Sequence, residues 1–276
     1  MSIRESCYND RVKEDGVIYI NIAEFVIKII FGPDTFSIAR NNIKKEIFFY
    51  CRNFLIKKNP RKVDFSIYLH QKDVWIIGGK TNKNFILLYE EIGKKRINCF
   101  YHINIFQFEL ILKVVLNKLL PLQQGFILHA SSVKLHNKAI LFLGKEGAGK
   151  STAALLLQPA FTVLADDSVV IKKKNDTYYF YQTPFYEKNM QRPKIQESYE
   201  LGKVFFLKKA AVFIIEQFHN KEYVFKKLMM QIYPEKKHFN LRINAIMNFA
   251  DHFHGFCKLS FAKDSSRFID LIKSSF

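Results

Sequence analysis

A glycine-rich segment near the middle of the chain has the residue types and spacing of a phosphate-binding loop. It runs Gly144-Lys-Glu-Gly-Ala-Gly-Lys150-Ser151 and matches the pattern G-x-x-x-x-G-K-[ST] at every fixed position. Glycines tolerate positive φ and let successive backbone N–H groups converge on phosphate oxygens, and a following helix N-terminus adds partial positive charge. An apolar run at 139–143 precedes the loop and good helix formers follow it. The segment therefore predicts a nucleoside triphosphate site, with ATP as the expected nucleotide.

The residue types within this loop predict separate roles. The Lys150 ammonium is expected to reach the β- and γ-phosphates, and the Ser151 hydroxyl is expected to ligate the Mg²⁺ that bridges them. The alternative is a glycine-rich turn between a strand and a helix that binds no ligand, which the motif and its context together disfavour. The expected nucleotide-binding residues are Gly144, Lys145, Glu146, Gly147, Ala148, Gly149, Lys150, Ser151 and Thr152.

Two adjacent carboxylates follow the loop closely. Asp166 and Asp167 end the apolar stretch 161–165, and a second strand-like segment begins directly after them. Only a short predicted helix, ending near Pro159, separates them from the loop, so both are expected to lie near the same magnesium ion and γ-phosphate. One carboxylate could ligate the metal while the other accepts a proton from an incoming hydroxyl. Taken alone, an Asp-Asp pair is more often a simple turn between strands.

Together with His129, these motifs resemble the catalytic domain of the HPr kinase/phosphorylase family. The resemblance is strong over residues 125–172 and includes a histidine on the strand before the loop and an Ala-Asp-Asp after the loop helix. It implies a mixed α/β fold similar to phosphoenolpyruvate carboxykinases, with Asp166 as general base and His129 assisting near the γ-phosphate. It also implies that Asp167 and Ser151 hold magnesium. Looser matches, at 182–185, 202–207 and 257–264, look like the shorter HPr-kinase-like serine kinases, such as lasso-peptide kinases.

One departure from the family limits what the resemblance implies. The bifunctional enzymes carry a second glycine-rich signature after the Asp-Asp strand, whereas residues 178–189 here contain no glycine. HPr as the substrate and the reverse phosphorylase reaction are therefore not expected. The leading prediction is a magnesium-requiring, ATP-dependent kinase that transfers the γ-phosphate to a serine hydroxyl of a protein or peptide. A carboxykinase-like enzyme acting on a small phosphorylated acid, and a non-catalytic ATP-binding regulatory module, stay open.

Other polar residues have weaker claims to a role. Glu187 could add a metal ligand, although a glutamate followed by Lys188 in a polar loop is more often solvated. Arg192 and Lys194 could contact phosphate, although they too are more often simply solvated. A lone histidine at a strand end is more often structural, so the prediction for His129 depends on its spacing from the loop. Three further histidines match no metal-site pattern: His238, His252 and His254.

The composition of the chain excludes some classes of protein. The net charge of +18 would favour anionic partners, but the excess of Lys over Arg, with abundant Ile, Phe and Asn, also fits a low-GC genome. No nucleic-acid recognition motif is present, so nucleic acid is an unlikely partner. The four cysteines form no C-x-x-C pair and are expected to be free thiols. Charged residues interrupt both apolar stretches, 18–31 and 103–122, so no membrane partner is expected. Residues 1–7 carry charges where a signal peptide needs an apolar core, so the cytoplasm is the expected compartment.

The distribution of apolar residues predicts two domains. Residues 1–105 are strand-rich, with an amphipathic helix predicted over 41–57, and are expected to form a smaller α+β domain. Residues 106–276 are expected to form the P-loop catalytic domain, beginning with a helix over 106–120 that Pro121 ends. Whether the N-terminal domain selects the substrate, and whether the protein oligomerises, stay open.

Overall fold

The computed structural model describes residues 16–32, 37–70, 76–78, 84–86, 88–187, 194–232 and 238–276. Contacts divide the chain into two compact units, Met1–Val115 and Leu116–Phe276. Each unit contains helices and a sheet with both parallel and antiparallel pairs, which confirms the expected mixed α/β class. The division falls inside a helix, whereas the sequence places the boundary at the start of that helix.

The first unit is built on a five-stranded mixed sheet. Its strand order is β1-β2-β3-β7-β6, with β2, β3 and β7 running parallel. Burial alternates along these strands, so every second side chain faces the core, although some of the half-buried residues between them, such as Val26 and Ile30, are also apolar. A separate two-stranded pair is formed by β4 and β5. The strands are β1 (Val17–Ile22), β2 (Phe25–Phe31), β3 (Phe65–His70), β4 (Ile76–Gly78), β5 (Asn84–Ile86), β6 (Tyr89–Glu91) and β7 (Arg96–Phe100).

Two helices begin in this unit. Helix α1 (Ser37–Cys51) buries Ile43, Ile47 and Cys51, whose spacing of four residues places them on one face, as the amphipathic pattern predicts. Helix α2 (Ile105–Leu119) forms where the sequence predicts a helix, but not all of its apolar residues are buried. Phe106 and Leu110 are each 54% exposed, while the side chains of Glu109 and Lys113 are mostly buried. That burial is possible because the two charges pair at 2.9 Å.

The second unit contains a nine-stranded mixed sheet. Its main path is β11-β9-β10-β14-β13-β12-β8, and β16 pairs with both β14 and β15. Strand β10, which leads into the glycine loop, lies between the antiparallel β9 and the parallel β14. The strands are β8 (Gly125–His129), β9 (Ser131–Leu135), β10 (Lys138–Leu143), β11 (Thr162–Ala165), β12 (Ser168–Lys174), β13 (Thr177–Tyr181), β14 (Ser198–Lys209), β15 (Ile214–Gln217) and β16 (Phe256–Phe261).

Helices cover both faces of this sheet. Alternate residues of β10 face opposite sides, so Leu141 belongs to one apolar cluster and Phe142 to the other. Helices α4 (Lys221–Met229) and α5 (Phe239–His252) pack in the first cluster. Helices α3 (Lys150–Leu157) and α6 (Ser265–Ser274) pack in the second. The strand that carries the loop is thus buried on both faces.

A long antiparallel ribbon brings the two predicted catalytic segments together. Strands β8 and β9 together pair with β12 and β11, with His129 opposite Ser168 and Ser132 opposite Ala165. The same register places Ala130 opposite Asp167 and Ser131 opposite Asp166. The pairing shifts between Val163 and Ala165, so a bulge follows. The Asp166–Asp167 turn therefore lies at the bend of the ribbon, where both of its strands change pairing partners.

Two sequence expectations concern membranes and thiols. Within the described ranges, no helix is both long and apolar enough to cross a membrane. Cys51, Cys99 and Cys257 are free and buried, and Cys7 lies outside the described residues.

Candidate active site

The glycine loop joins β10 to α3, as the sequence predicts. Gly147 has φ 73° and Gly149 has φ 100°, a region that L-residues with a side chain rarely adopt. Gly144 is required for another reason, since a Cβ there would lie 2.6 Å from the Cβ of Ala148. Helix α3 begins at Lys150, so its first N–H groups point into the loop. The glycines thus create a concave backbone surface at a helix N-terminus, which is the geometry of an anion site.

Lys150 is buried at the base of this loop. Its ammonium donates to the carbonyl of Gly144 at 2.8 Å. Burial lowers the pKa of Lys150, and the nearby charges of Asp167, Glu146 and Asp166 oppose that shift. Both carboxylates of the Asp-Asp turn are therefore close enough to stabilise the Lys150 charge.

The Asp166–Asp167 turn is held by hydrogen bonds across the ribbon. The Ser131 hydroxyl donates to Asp166 Oδ1 at 2.9 Å, and the Ala130 N–H donates to the Asp167 carbonyl at 3.1 Å. The Ser168 hydroxyl donates to Asp167 Oδ2 at 2.7 Å. Each aspartate thus has a hydroxyl donor on one carboxylate oxygen, and these bonds restrict the directions in which the carboxylates point.

His129 lies beside Asp167. Its Nδ1 is 3.0 Å from Asp167 Oδ1 and also 3.0 Å from the Asp167 carbonyl. The backbone N–H of His129 donates to the Gln231 carbonyl at 2.7 Å, which anchors the end of strand β8. With Nδ1 directed at Asp167, the ring can donate a hydrogen bond to that carboxylate and so orient it.

Glu187 does not have the solvated position that its polar neighbours in the sequence favour. Its side chain is 1% exposed and pairs with Lys194, the two charged groups being 3.0 Å apart. Glu187 Oε2 accepts from the backbone N–H of Asp166 at 2.7 Å, and Oε1 lies 3.5 Å from the N–H of Ser168. Burial raises the pKa of the Glu187 carboxyl, and Lys194 opposes this rise. Arg192 lies outside the described residues.

These residues surround one cavity. Its volume is about 590 Å³, within the range of about 300–1,000 Å³ typical of small-molecule sites. Three loop residues, Gly144, Lys145 and Ala148, line an adjoining cavity of about 280 Å³. The larger cavity is lined by the other predicted loop residues and by His129, Asp166 and Asp167, the three residues predicted to act near the phosphates. Its lining is His129, Glu146, Gly147, Gly149, Lys150, Ser151, Thr152, Asp166, Asp167, Tyr186, Glu187 and Lys209.

Two lining residues, Tyr186 and Lys209, and Ser131, which donates to Asp166, were not predicted from the sequence as site residues. Lys209 ends β14, which runs parallel to β10, so its position at the loop follows from the shared edge of the two strands. The apolar run before Lys209 predicts a buried strand, but only the order of the strands in the sheet places the end of that strand at the loop. Ser131 gave no signal of its own, because its role depends on the hydrogen bond to Asp166 across the ribbon. No sequence pattern predicted that Tyr186 lines the cavity.

The oxygen ligands at this site are compatible with magnesium. Ser151 and Asp167 line the same cavity and offer a hydroxyl and a carboxylate, the hard donors that Mg²⁺ prefers. Among the described residues, no group of three or more His, Cys, Asp or Glu side chains is arranged to hold a metal ion. A magnesium ion that arrives with a nucleotide needs only one or two protein ligands, since phosphates and water supply the rest.

Comparisons with other proteins complete this description. Residues 98–224, less than half of the chain, match the family model described as "ScmC: SynChlorMet cassette protein ScmC". The chain is similar to the structure of the Hpr(Ser) kinase/phosphatase from Coxiella burnetii, at 12% identity and a TM-score of 0.31. That similarity covers 54% of this chain and 95% of the other. No curated protein matches the chain significantly.

Proposed function

We propose that this protein is a magnesium-requiring kinase that transfers the γ-phosphate of ATP to a serine hydroxyl of a protein or peptide. The proposal is carried by one observation: Asp166 and Asp167 line the same cavity as Lys150 and Ser151 of the glycine loop. A non-catalytic ATP-binding module needs the loop but has no need for a carboxylate pair facing it. The resemblance of the motifs to HPr kinases supports the same assignment.

The residues predicted from the sequence have distinct roles in this reaction. The loop backbone and Lys150 would bind the triphosphate, while Ser151 and Asp167 would hold the metal, which would neutralise charge on the β- and γ-phosphates. Asp166 accepts the proton of the serine hydroxyl as that oxygen attacks the γ-phosphorus. The Ser131 hydrogen bond occupies one Asp166 oxygen and so orients the other. His129 orients Asp167 through Nδ1.

The decisive experiment replaces the proposed base. Purified full-length protein, γ-labelled ATP and magnesium are incubated with an extract of the cell that makes the protein, and labelled products are analysed for phosphoserine. We expect Asp166→Asn to lower transfer by about 100- to 10,000-fold, the usual contribution of general-base catalysis, while ATP binding is retained. Near-normal transfer by this variant would exclude Asp166 as the base.

A matched control is available in the same unit. Asp176 lies in the turn between β12 and β13, is 95% exposed and has φ 62°, which asparagine adopts readily. Asp176→Asn removes only a surface ion pair with Lys173 and should leave transfer unchanged. Tight ATP binding with no labelled product in the extract would favour the regulatory module. Labelling of a small phosphorylated acid in place of serine would favour the carboxykinase-like alternative.

A further inference from the structure

A buried carboxylate behind the Asp166–Asp167 turn is not used by the chemistry described above. Glu187 has two oxygens, and both face donors of the protein. Oε2 accepts from the Asp166 N–H at 2.7 Å, whereas Oε1 is 3.0 Å from Lys194 Nζ and 3.5 Å from the Ser168 N–H. The two N–H groups belong to the residues on either side of Asp167. Glu187 therefore contacts the backbone of the turn at two points.

These contacts are made where the strand ladder is interrupted. Strand β11 ends at Ala165 and β12 begins at Ser168, so the intervening backbone lies at the bend of the ribbon. A buried N–H that lacks an acceptor is costly, and a charged acceptor makes a stronger hydrogen bond than a neutral one. The Glu187 carboxylate thus replaces the missing sheet partner and fixes the backbone that carries both aspartates.

The carboxylate is itself held in place. The Lys194 side chain, 10% exposed, pairs with it and also donates to the Phe185 carbonyl at 2.7 Å. Gln182 adds a second link, since its Nε2 donates to the Leu164 carbonyl and its Oε1 accepts from the Ile195 N–H, each at 3.2 Å. We name Gln182, Glu187 and Lys194 the backbone clamp. It ties residues 182–187 and 194–195 to the end of β11 and to the turn.

We propose that Glu187, paired with Lys194, is a positioning residue that sets Asp166 and Asp167 for phosphoryl transfer, an inference that rests on the proposed function. Burial argues against a role as metal ligand, because the Glu187 side chain is 1% exposed whereas that of Asp167 is 45% exposed. The Glu187 oxygens face backbone N–H groups and an ammonium within the protein. Glu187 acts through the turn, so its loss should change metal use and the rate of transfer more than the affinity of the loop for ATP. Groups that hold metal ligands in place typically change metal affinity or activity by about 10- to 100-fold.

The test compares Glu187→Gln with Glu216→Gln. Glutamine replaces one oxygen with an NH₂ group, which would face either an N–H donor or the Lys194 ammonium. Glu216 is the matched control, because its ion pair with Lys258 lies in the same unit but is largely exposed. We expect Glu187→Gln to raise the magnesium concentration for half-maximal binding of a fluorescent ATP analogue by about 10- to 100-fold. It should lower kcat similarly with KM for ATP within about threefold, and Glu216→Gln should change neither.

The remaining variants separate positioning from folding. Glu187→Asp keeps the carboxylate on a side chain one methylene shorter, so it should recover part, but not all, of both losses. If Glu187→Gln does not fold, Glu187→Asp and Lys194→Met provide the measurement, and each should show raised magnesium demand. Folded variants at these positions with wild-type magnesium demand and kcat would overturn the proposal. The magnesium measurement requires no acceptor, so it decides the role of Glu187 even if the wild-type protein transfers no phosphate.

Discussion

The two walls of the cavity are specified in different ways. The glycine loop is local, because its shape follows from glycines at φ 73° and 100° and from a helix that begins directly after it. The Asp166–Asp167 turn is assembled from distant parts of the chain, namely the opposite strand of the ribbon and the backbone clamp. We therefore expect the glycine loop to tolerate changes elsewhere in the fold but not changes in its own residues. The Asp166–Asp167 turn depends on residues that lie outside its own sequence motif, such as Ser131 and Glu187.

The largest effect on nucleotide binding is expected in the local wall. In Gly144→Ala the new Cβ would lie 2.6 Å from Ala148 Cβ, a contact that cannot relax without moving loop backbone. Overpacking of this kind costs about 1–3 kcal/mol, which corresponds to nucleotide binding weakened by about 5- to 150-fold. Titration with a fluorescent ATP analogue measures the change. Since the other contacts of that Cβ are at 3.8 Å, Ala148→Gly in the same chain should restore most of the affinity.

If Ala148→Gly does not restore nucleotide binding to Gly144→Ala, the shape of the loop is not set by this local contact alone. If Gly144→Ala and the double variant bind equally poorly, the loop depends on more than the glycines and the single side-chain contact. Gly147→Ala distinguishes strain from contact, since its positive φ opposes the change while no described residue beyond its two chain neighbours lies within 4 Å of the added Cβ. Its binding defect should not respond to Ala148→Gly.

The same contrast explains which parts of the site could be predicted from the sequence. The loop, the strand and helix on its two sides, and the Asp-Asp turn were all predictable because each is a contiguous pattern. The burial of Glu187 was not, since its neighbours are polar and its partners, the N–H groups of Asp166 and Ser168, come from another segment. Lys209 was missed for a similar reason, because only the parallel pairing of β14 with β10 places it at the loop.

The fold shows the same limit. Local patterns predicted the strand that precedes the loop, the helix that follows it and the helix over 106–120, because each is a contiguous run of residues. They did not predict which side chains of α2 are buried, because the ion pair of Glu109 and Lys113 allows a charged face to be mostly buried while Phe106 and Leu110 are exposed. Strand order, and with it the bend that brings His129 opposite Ser168, has no local signal.

A smaller effect is expected when one supporting hydrogen bond of the assembled wall is removed. Ser131→Ala removes the hydrogen bond to Asp166 Oδ1 but leaves the carboxylate and the clamp in place. A hydrogen bond to a charged group contributes about 1.5–3 kcal/mol, and only the part that orients Asp166 affects the reaction, so we expect kcat to fall by about tenfold. Steady-state transfer measures the loss, with KM for ATP unchanged.

The control for this prediction reproduces the same bond outside the cavity. Ser266 donates to Asp264 Oδ1 at 2.9 Å, the length of the Ser131–Asp166 bond, at the exposed start of α6. Ser266→Ala should leave kcat unchanged. A Ser131→Ala enzyme with wild-type kcat would show that the clamp alone orients Asp166.

The smallest effect on transfer is expected from a residue that supports neither wall. Asp264 is the N-cap of α6 and accepts from the Arg267 N–H at 3.2 Å, which holds its pKa below the ordinary value. Asp264→Ala should lower the free energy of unfolding by about 1 kcal/mol, measured by urea denaturation at neutral pH. Transfer and ATP affinity should be unchanged at a temperature where the protein stays folded, because α6 packs behind α3 through Phe268 and Ile272, which remain. Loss of ATP affinity in this variant would mean that the loop wall depends on the helix behind it and is not local.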